Sequence, residues 1–134
     1  MLLCAACTLA SCRKDNEAFT QYPAPSWAVE SKNYNGNMTA VVTIPENLKH
    51  YIQSYDQLAA FVGNECRGVG VFLDGVFFVT IKGSASEQAM VTFRYYSSRN
   101  KYMYSTDAFL SFEIDAVFGS IDEPEVLSLE PVTD

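Results

Sequence analysis

The dipeptide Asp74-Gly75, set between two apolar runs, constrains this chain more than any other feature. Asp-Gly is a strong signal for a two-residue hairpin, because both turn residues take positive φ there. The turn therefore predicts an antiparallel pair, residues 65–72 against residues 76–82. The second run is apolar on both faces, with Phe77, Val79 and Ile81 on one side and Val76 and Phe78 on the other. Such a strand is expected at the centre of a sheet, covered on both sides.

Strand-like patterning recurs on either side of the hairpin. Met38, Ala40, Val42 and Ile44 alternate with Thr39, Val41 and Thr43 until Pro45 stops the run. Residues 57–62 form an apolar run closed by the turn pair Gly63-Asn64. In residues 88–97, Val91, Phe93 and Tyr95 share one face, and Met90, Thr92, Arg94 and Tyr96 share the other. Residues 98–101 turn the chain and 102–105 return it. Residues 109–114 then place Leu110, Phe112 and Ile114 inward. Gly119 and Pro124 bracket a bend, and 126–129 closes the domain. Before all these, Pro23 and Pro25 precede a short edge strand, 26–30, with Trp27 on the core. Residues 46–56 are polar and read as a loop, with room for one helical turn.

No stretch carries a helical period of useful length. The pattern predicts an all-β domain over residues 22–134, an antiparallel two-sheet sandwich of immunoglobulin-like or related type. A barrel is the alternative. Parallel α/β architectures fail for lack of crossover helices. With 49% apolar residues, 8 Tyr and 9 Phe, the domain has enough to build a core without metals or disulfides.

The first twelve residues, MLLCAACTLASC, are small or apolar. They are too few to span a membrane as a helix. They resemble the back half of a secretory signal, although the usual basic opening is missing. Leu9-Ala10-Ser11-Cys12 resembles the lipobox of bacterial lipoproteins, where small residues fit the protease cleft and the thiol receives the lipid. Residues 1–11 are therefore expected to be a shortened signal peptide, Cys12 the lipidation site, and 12–21 a flexible tether with little to bury. Lys14-Asp15 and Glu17 resemble the acidic export signal of surface lipoproteins in the Bacteroidetes. The expected location is the outer membrane, periplasmic or surface-exposed, with membrane contact through the lipid alone. Cys4 and Cys7 would leave with the signal, so Cys66 would remain without an intramolecular disulfide partner.

Four blocks carry a wider resemblance. They are Asn37-Met38-Thr39, the stretch LAAFVGNECRG from Leu58 to Gly68, Phe78-Val79-Thr80-Ile81-Lys82-Gly83, and Val91-Thr92-Phe93-Arg94. Together with the bend at Gly119-Ser120 and Pro124, they resemble a β-rich module of secreted and surface proteins in the Bacteroidetes. The likeness covers about residues 27–130. It implies a non-catalytic accessory domain, of the kind found with proteins of adhesion, secretion and polymer handling. The resemblance implies that larger relatives carry an attached enzyme, and this chain is expected to carry the module alone.

Net charge is −7, from 9 basic and 16 acidic residues. That surface repels phosphate backbones and no basic stripe offsets it, so nucleic acid is not an expected partner. Glu65 and Arg67 share one face of their strand. They are expected to pair and fix a hairpin, with ligand contact as the alternative. Tyr96, Tyr102 and Tyr104 fall off the core face and are candidate contacts for a glycan or an envelope protein, with Tyr34 and Tyr51 beside them. Catalysis has weak footing. Cys66 would need a base, and His50 is the only histidine. Glu113 and Asp115 could pair as glycosidase acids only by chance of composition. No short-spaced ligand set marks a metal, although Asp56, Asn64, Asp74 and Asp122-Glu123 are oxygen donors that could suit calcium. The chain is therefore expected to be a non-catalytic binding module without cofactor or metal. A structural subunit of a surface complex is the alternative, and a small hydrolase a more remote one.

Overall fold

The structure, a computed structural model, describes residues 19–30, 34–107 and 110–133. The expected signal peptide, Cys12 and the tether as far as residue 18 lie outside the described residues. The elements in chain order are β1 Gly36–Thr43, α1 Glu46–Lys49, β2 Gln57–Val62, β3 Glu65–Leu73, β4 Val76–Gly83, β5 Met90–Ser97 and β6 Tyr102–Ser105. Four two-residue strands follow: β7 Leu110–Ser111, β8 Val117–Phe118, β9 Glu125–Val126 and β10 Glu130–Pro131.

The Asp74-Gly75 hairpin forms as its residues require. Both take positive φ, 53° and 85°, and Leu73 pairs with Val76 across them. Around it the strands order as β10-β6-β5-β2-β3-β4-β1-β8 in one curled sheet. The long strands pair antiparallel, but β8 and β9 both run parallel to β1. The sheet is thus mixed rather than wholly antiparallel. The cause is a crossover: after β7, which pairs with β5, the chain travels to the far side of the sheet and joins β1 without a hairpin.

The curl is made in β3. Its first half pairs with β2 and its second half with β4. Ala60 faces Gly68 and Phe61 faces Cys66, so Arg67 is the extra residue of a bulge. A bulge bends its strand and adds twist. Gly68 permits the close approach that follows, since a Cβ there would lie 2.3 Å from the Thr80 carbonyl oxygen.

One core fills the concave side. It takes Met38, Ala40 and Val42 from β1, Phe77, Val79 and Ile81 from β4, Leu58 and Ala60 from β2, and Val91, Phe93 and Tyr95 from β5. Each large apolar side chain buried there contributes about 1.5–3 kcal/mol. The alternation read in β1, β4 and β5 is the alternation between this core and the outside.

Four expectations need correction. β4 is central, but its outer face is not fully covered: Val76 is buried, Phe78 half-buried and Thr80 exposed. Residues 26–30 form no strand. They continue a strap laid across the outside of β2 and β5, with Trp27 edge-on to Phe61 at 5.5 Å and the Gln57 amide donating to the Pro25 carbonyl at 3.1 Å. Pro23 and Pro25 have no N–H to give a ladder. Residues 46–56 include the single helical turn α1. Residues 110–114 stay extended only through β7, because Asp115 turns the chain at φ 66°. Phe112 still points into the core.

Candidate functional site

Two polar constellations and one groove stand out. The first centres on Arg67, the bulge residue, whose relative exposure is 3%. Its Nε donates to Glu65 at 3.0 Å, and one terminal nitrogen donates to the Lys82 carbonyl at 3.1 Å. Both terminal nitrogens also grip the Glu87 carboxylate, a two-pronged pairing that suits a guanidinium. The guanidinium lies 4.1 Å from the Tyr34 ring centroid, and the Tyr34 hydroxyl donates to Glu65 at 2.6 Å. The Glu87 carboxyl is held below the usual range, chiefly by its hydrogen bonds from Arg67. Glu65 is lowered by the Tyr34 hydroxyl and then by Arg67, while the Tyr34 phenol is raised by the same contact. Every guanidinium nitrogen is engaged by protein. The cluster pairs Glu65 with Arg67 and ties the β3 bulge to the end of β4 and the loop after it. Glu87 was not marked by the sequence pattern.

The second constellation closes over Asp56. Its carboxylate accepts from the Tyr95 hydroxyl, from the Ser98 N–H at 2.8 Å, from the Ser98 hydroxyl at 2.7 Å and from the Gln53 N–H at 3.1 Å. Burial, with Asp56 beside it, pushes the Tyr95 phenol far up. Asp56 is therefore occupied by donors and is poorly suited to calcium. Asn64 accepts from Arg94 at 3.1 Å, and Asp74 sits in the hairpin turn. Among the described residues no group of three ligating side chains gathers to hold a metal.

Cys66 is half-buried, and burial raises its thiol; its sulfur lies 3.7 Å from the Gly68 carbonyl. His50 is exposed after α1, and no hydrogen bond joins the two. This pair has neither the lowered thiol nor the adjacent base that a nucleophile needs.

The tyrosines expected to be exposed are not a platform. Tyr96 is 2% exposed, and its hydroxyl donates to the Tyr22 carbonyl at 2.8 Å. Tyr104 is buried, with its ring centroid 6.3 Å from that of Tyr95. Tyr102 is half-buried against Phe19, 4.9 Å between centroids. The strap supplies the cover that the strand pattern did not reveal. Its Tyr22 N–H donates to the Lys101 carbonyl at 2.8 Å, and Gln21 bridges to Tyr102.

Where the strap meets the turns at 53–56 and 98–101, it leaves an open groove of about 670 Å³. Tyr22, Pro23, Tyr55 and Tyr96 give it apolar walls, and Gln21, Gln57, Ser98 and Lys101 give it polar ones. The volume falls within the usual range for small-molecule sites. Tyr55 is 81% exposed on the rim. The groove joins flat rings to an ammonium and two amides, without a pair of carboxylates or an activated nucleophile. That set can stack on and hydrogen-bond a ligand. Of the sequence candidates, only Tyr96 lines it. The sequence signal for Tyr55 is an aromatic in a polar stretch with no strand face to bury it.

The chain matches no protein-family model, no curated protein and no solved structure.

Proposed function

We propose that this protein is a non-catalytic, envelope-anchored binding module that takes a saccharide chain in the groove at Tyr55. The observation that carries this reading is the Tyr55 ring itself, exposed beside the Tyr22 and Tyr96 walls and the Gln21, Gln57 and Lys101 polar groups. Sugar rings present apolar faces that stack on aromatics and hydroxyls that pair with amides, so both halves of the groove are used. The companion fold reading is a two-sheet sandwich of immunoglobulin-like or related type. It is supported by the single core shared between β1–β4 and β2–β5.

Anchoring through lipid on Cys12 belongs to the same proposal and rests on the lipobox-like sequence. Labelled palmitate is expected to enter the wild-type chain and not Cys12→Ala; equal labelling would remove the anchor. For the groove, the full chain is run through native gels containing different polysaccharides. Retardation by one polymer, reversed by soluble competitor, is expected, and Tyr55→Ala should lose it while keeping the thermal midpoint. Retardation that survives Tyr55→Ala would move the site elsewhere. A second reading, a structural subunit of a surface complex, is favoured by the exposed apolar side chains of β3, Val69, Val71 and Leu73.

A further inference from the structure

A second pocket, of about 480 Å³, shares its Tyr22 wall with the Tyr55 groove. The strand pattern of β5 brings Arg94 to it. Arg94 alternates with the buried Phe93 and Tyr95, so it leaves the core on the same side as Thr92. Across the ladder it pairs with Ser105 of β6, which also lines the pocket. The Tyr22 hydroxyl donates to the Val132 carbonyl at 3.2 Å and so fixes the shared wall.

Arg94 is held in place without being neutralised. Its guanidinium lies 4.1 Å from the Phe61 ring centroid, and Trp27 backs that ring edge-on. One terminal nitrogen donates to the Asn64 side-chain oxygen at 3.1 Å. A guanidinium has five N–H donors. Among the described residues no other acceptor takes one, and no carboxylate lies within ion-pairing distance. Arg67 is the contrast, closed off by two carboxylates and a carbonyl.

The walls carry the same bias. The chain has 16 acidic residues against 9 basic ones. Among the described residues that line the two pockets, Arg94 stands in one, Lys101 in the other, and a carboxylate in neither. Glu130, in register with Ser105, is exposed and outside the lining. Two adjoining hollows with cationic walls make a locally positive place on a negative molecule.

We propose that the Arg94 pocket is an anion subsite, so that the ligand is an acidic polysaccharide whose uronate carboxylate or sulfate ester is gripped by Arg94. This rests on the saccharide reading of the Tyr55 groove. A planar guanidinium with free donors meets such an oxyanion through two parallel bonds. The Thr92 and Ser105 hydroxyls line the same pocket and can donate to a further oxygen. A chain stacked at Tyr55 reaches Arg94 past Tyr22, the shared wall.

The test is titration calorimetry of the full chain, expressed without export so that it carries no lipid, against polygalacturonate, its methyl ester, dextran sulfate and dextran. A chain of net charge −7 repels polyanions in general, so affinity for one reports a specific site. An acidic polymer is expected to bind at least about tenfold tighter than its neutral counterpart, polygalacturonate assigning the carboxylate and dextran sulfate the sulfate ester. Arg94→Gln should weaken that binding by about ten- to a hundredfold. Asn64→Asp sets a carboxylate on Arg94 with almost no change of shape, so it should lose the acidic polymer while keeping the wild-type thermal midpoint. Unchanged affinity in both variants, or neutral polymers bound as tightly as acidic ones, would overturn the anion subsite and leave the Tyr55 groove standing. Acidic binding that falls with Asn64→Asp but survives Tyr55→Ala would keep the subsite and overturn the groove reading. Binding of neither acidic polymer would overturn the subsite.

Discussion

Arg67 keeps its charge out of water because two carboxylates and a carbonyl meet it there. The two carboxylates are not equal. Glu65 is half-exposed, while Glu87 is more protected and holds both terminal nitrogens. Removing one partner of a buried pair leaves the other charge uncompensated, and that residue sets the cost. Glu87→Gln should destabilise the fold by about 2 kcal/mol at neutral pH, discounted for the solvent that reaches Glu87. The pH dependence has a definite sign. The Glu87 carboxyl is lowered on folding, so its contribution is present above the ordinary carboxylate range and fades as pH falls through the depressed folded value. Urea midpoints of wild type and Glu87→Gln should therefore converge in acid. A gap that stays constant from neutral to acid pH would mean the charge pairing is not its source. Glu65 with Arg67 was legible in sequence because residues two apart share a strand face. Glu87 was not, because a loop residue's place is set by the fold around it.

At the scale of elements, Gly68 bears the most on the fold. It sits where β3 leaves β2 and closes on β4. Gly68→Ala would put a methyl into the Thr80 carbonyl, which is backbone and has no rotamer to yield. The ladder must open there, at a cost of roughly 2–3 kcal/mol. Hydrogen exchange should speed up at amides of β3 and β4 before those of β6. An exchange pattern equal to wild type would show that the bend absorbs the methyl. The long strands β1, β2 and β5 were readable because one buried face imposes a period of two. β8 and β9 were not, since two residues hold no period and their parallel pairing with β1 depends on a crossover that sequence does not display. Residues 109–114 misled for a related reason. The apolar positions continue to the core after the backbone has stopped being a strand.

For the whole molecule, the decisive feature is how its two outer faces are treated. The strap covers β2 and β5 and leaves the groove at its margin, while beyond the bulge Val71 and Leu73 of β3 stay exposed and Val41 and Thr43 of β1 are buried. The strap's route was not legible, because prolines and isolated aromatics mark a non-ladder segment without saying where it lies.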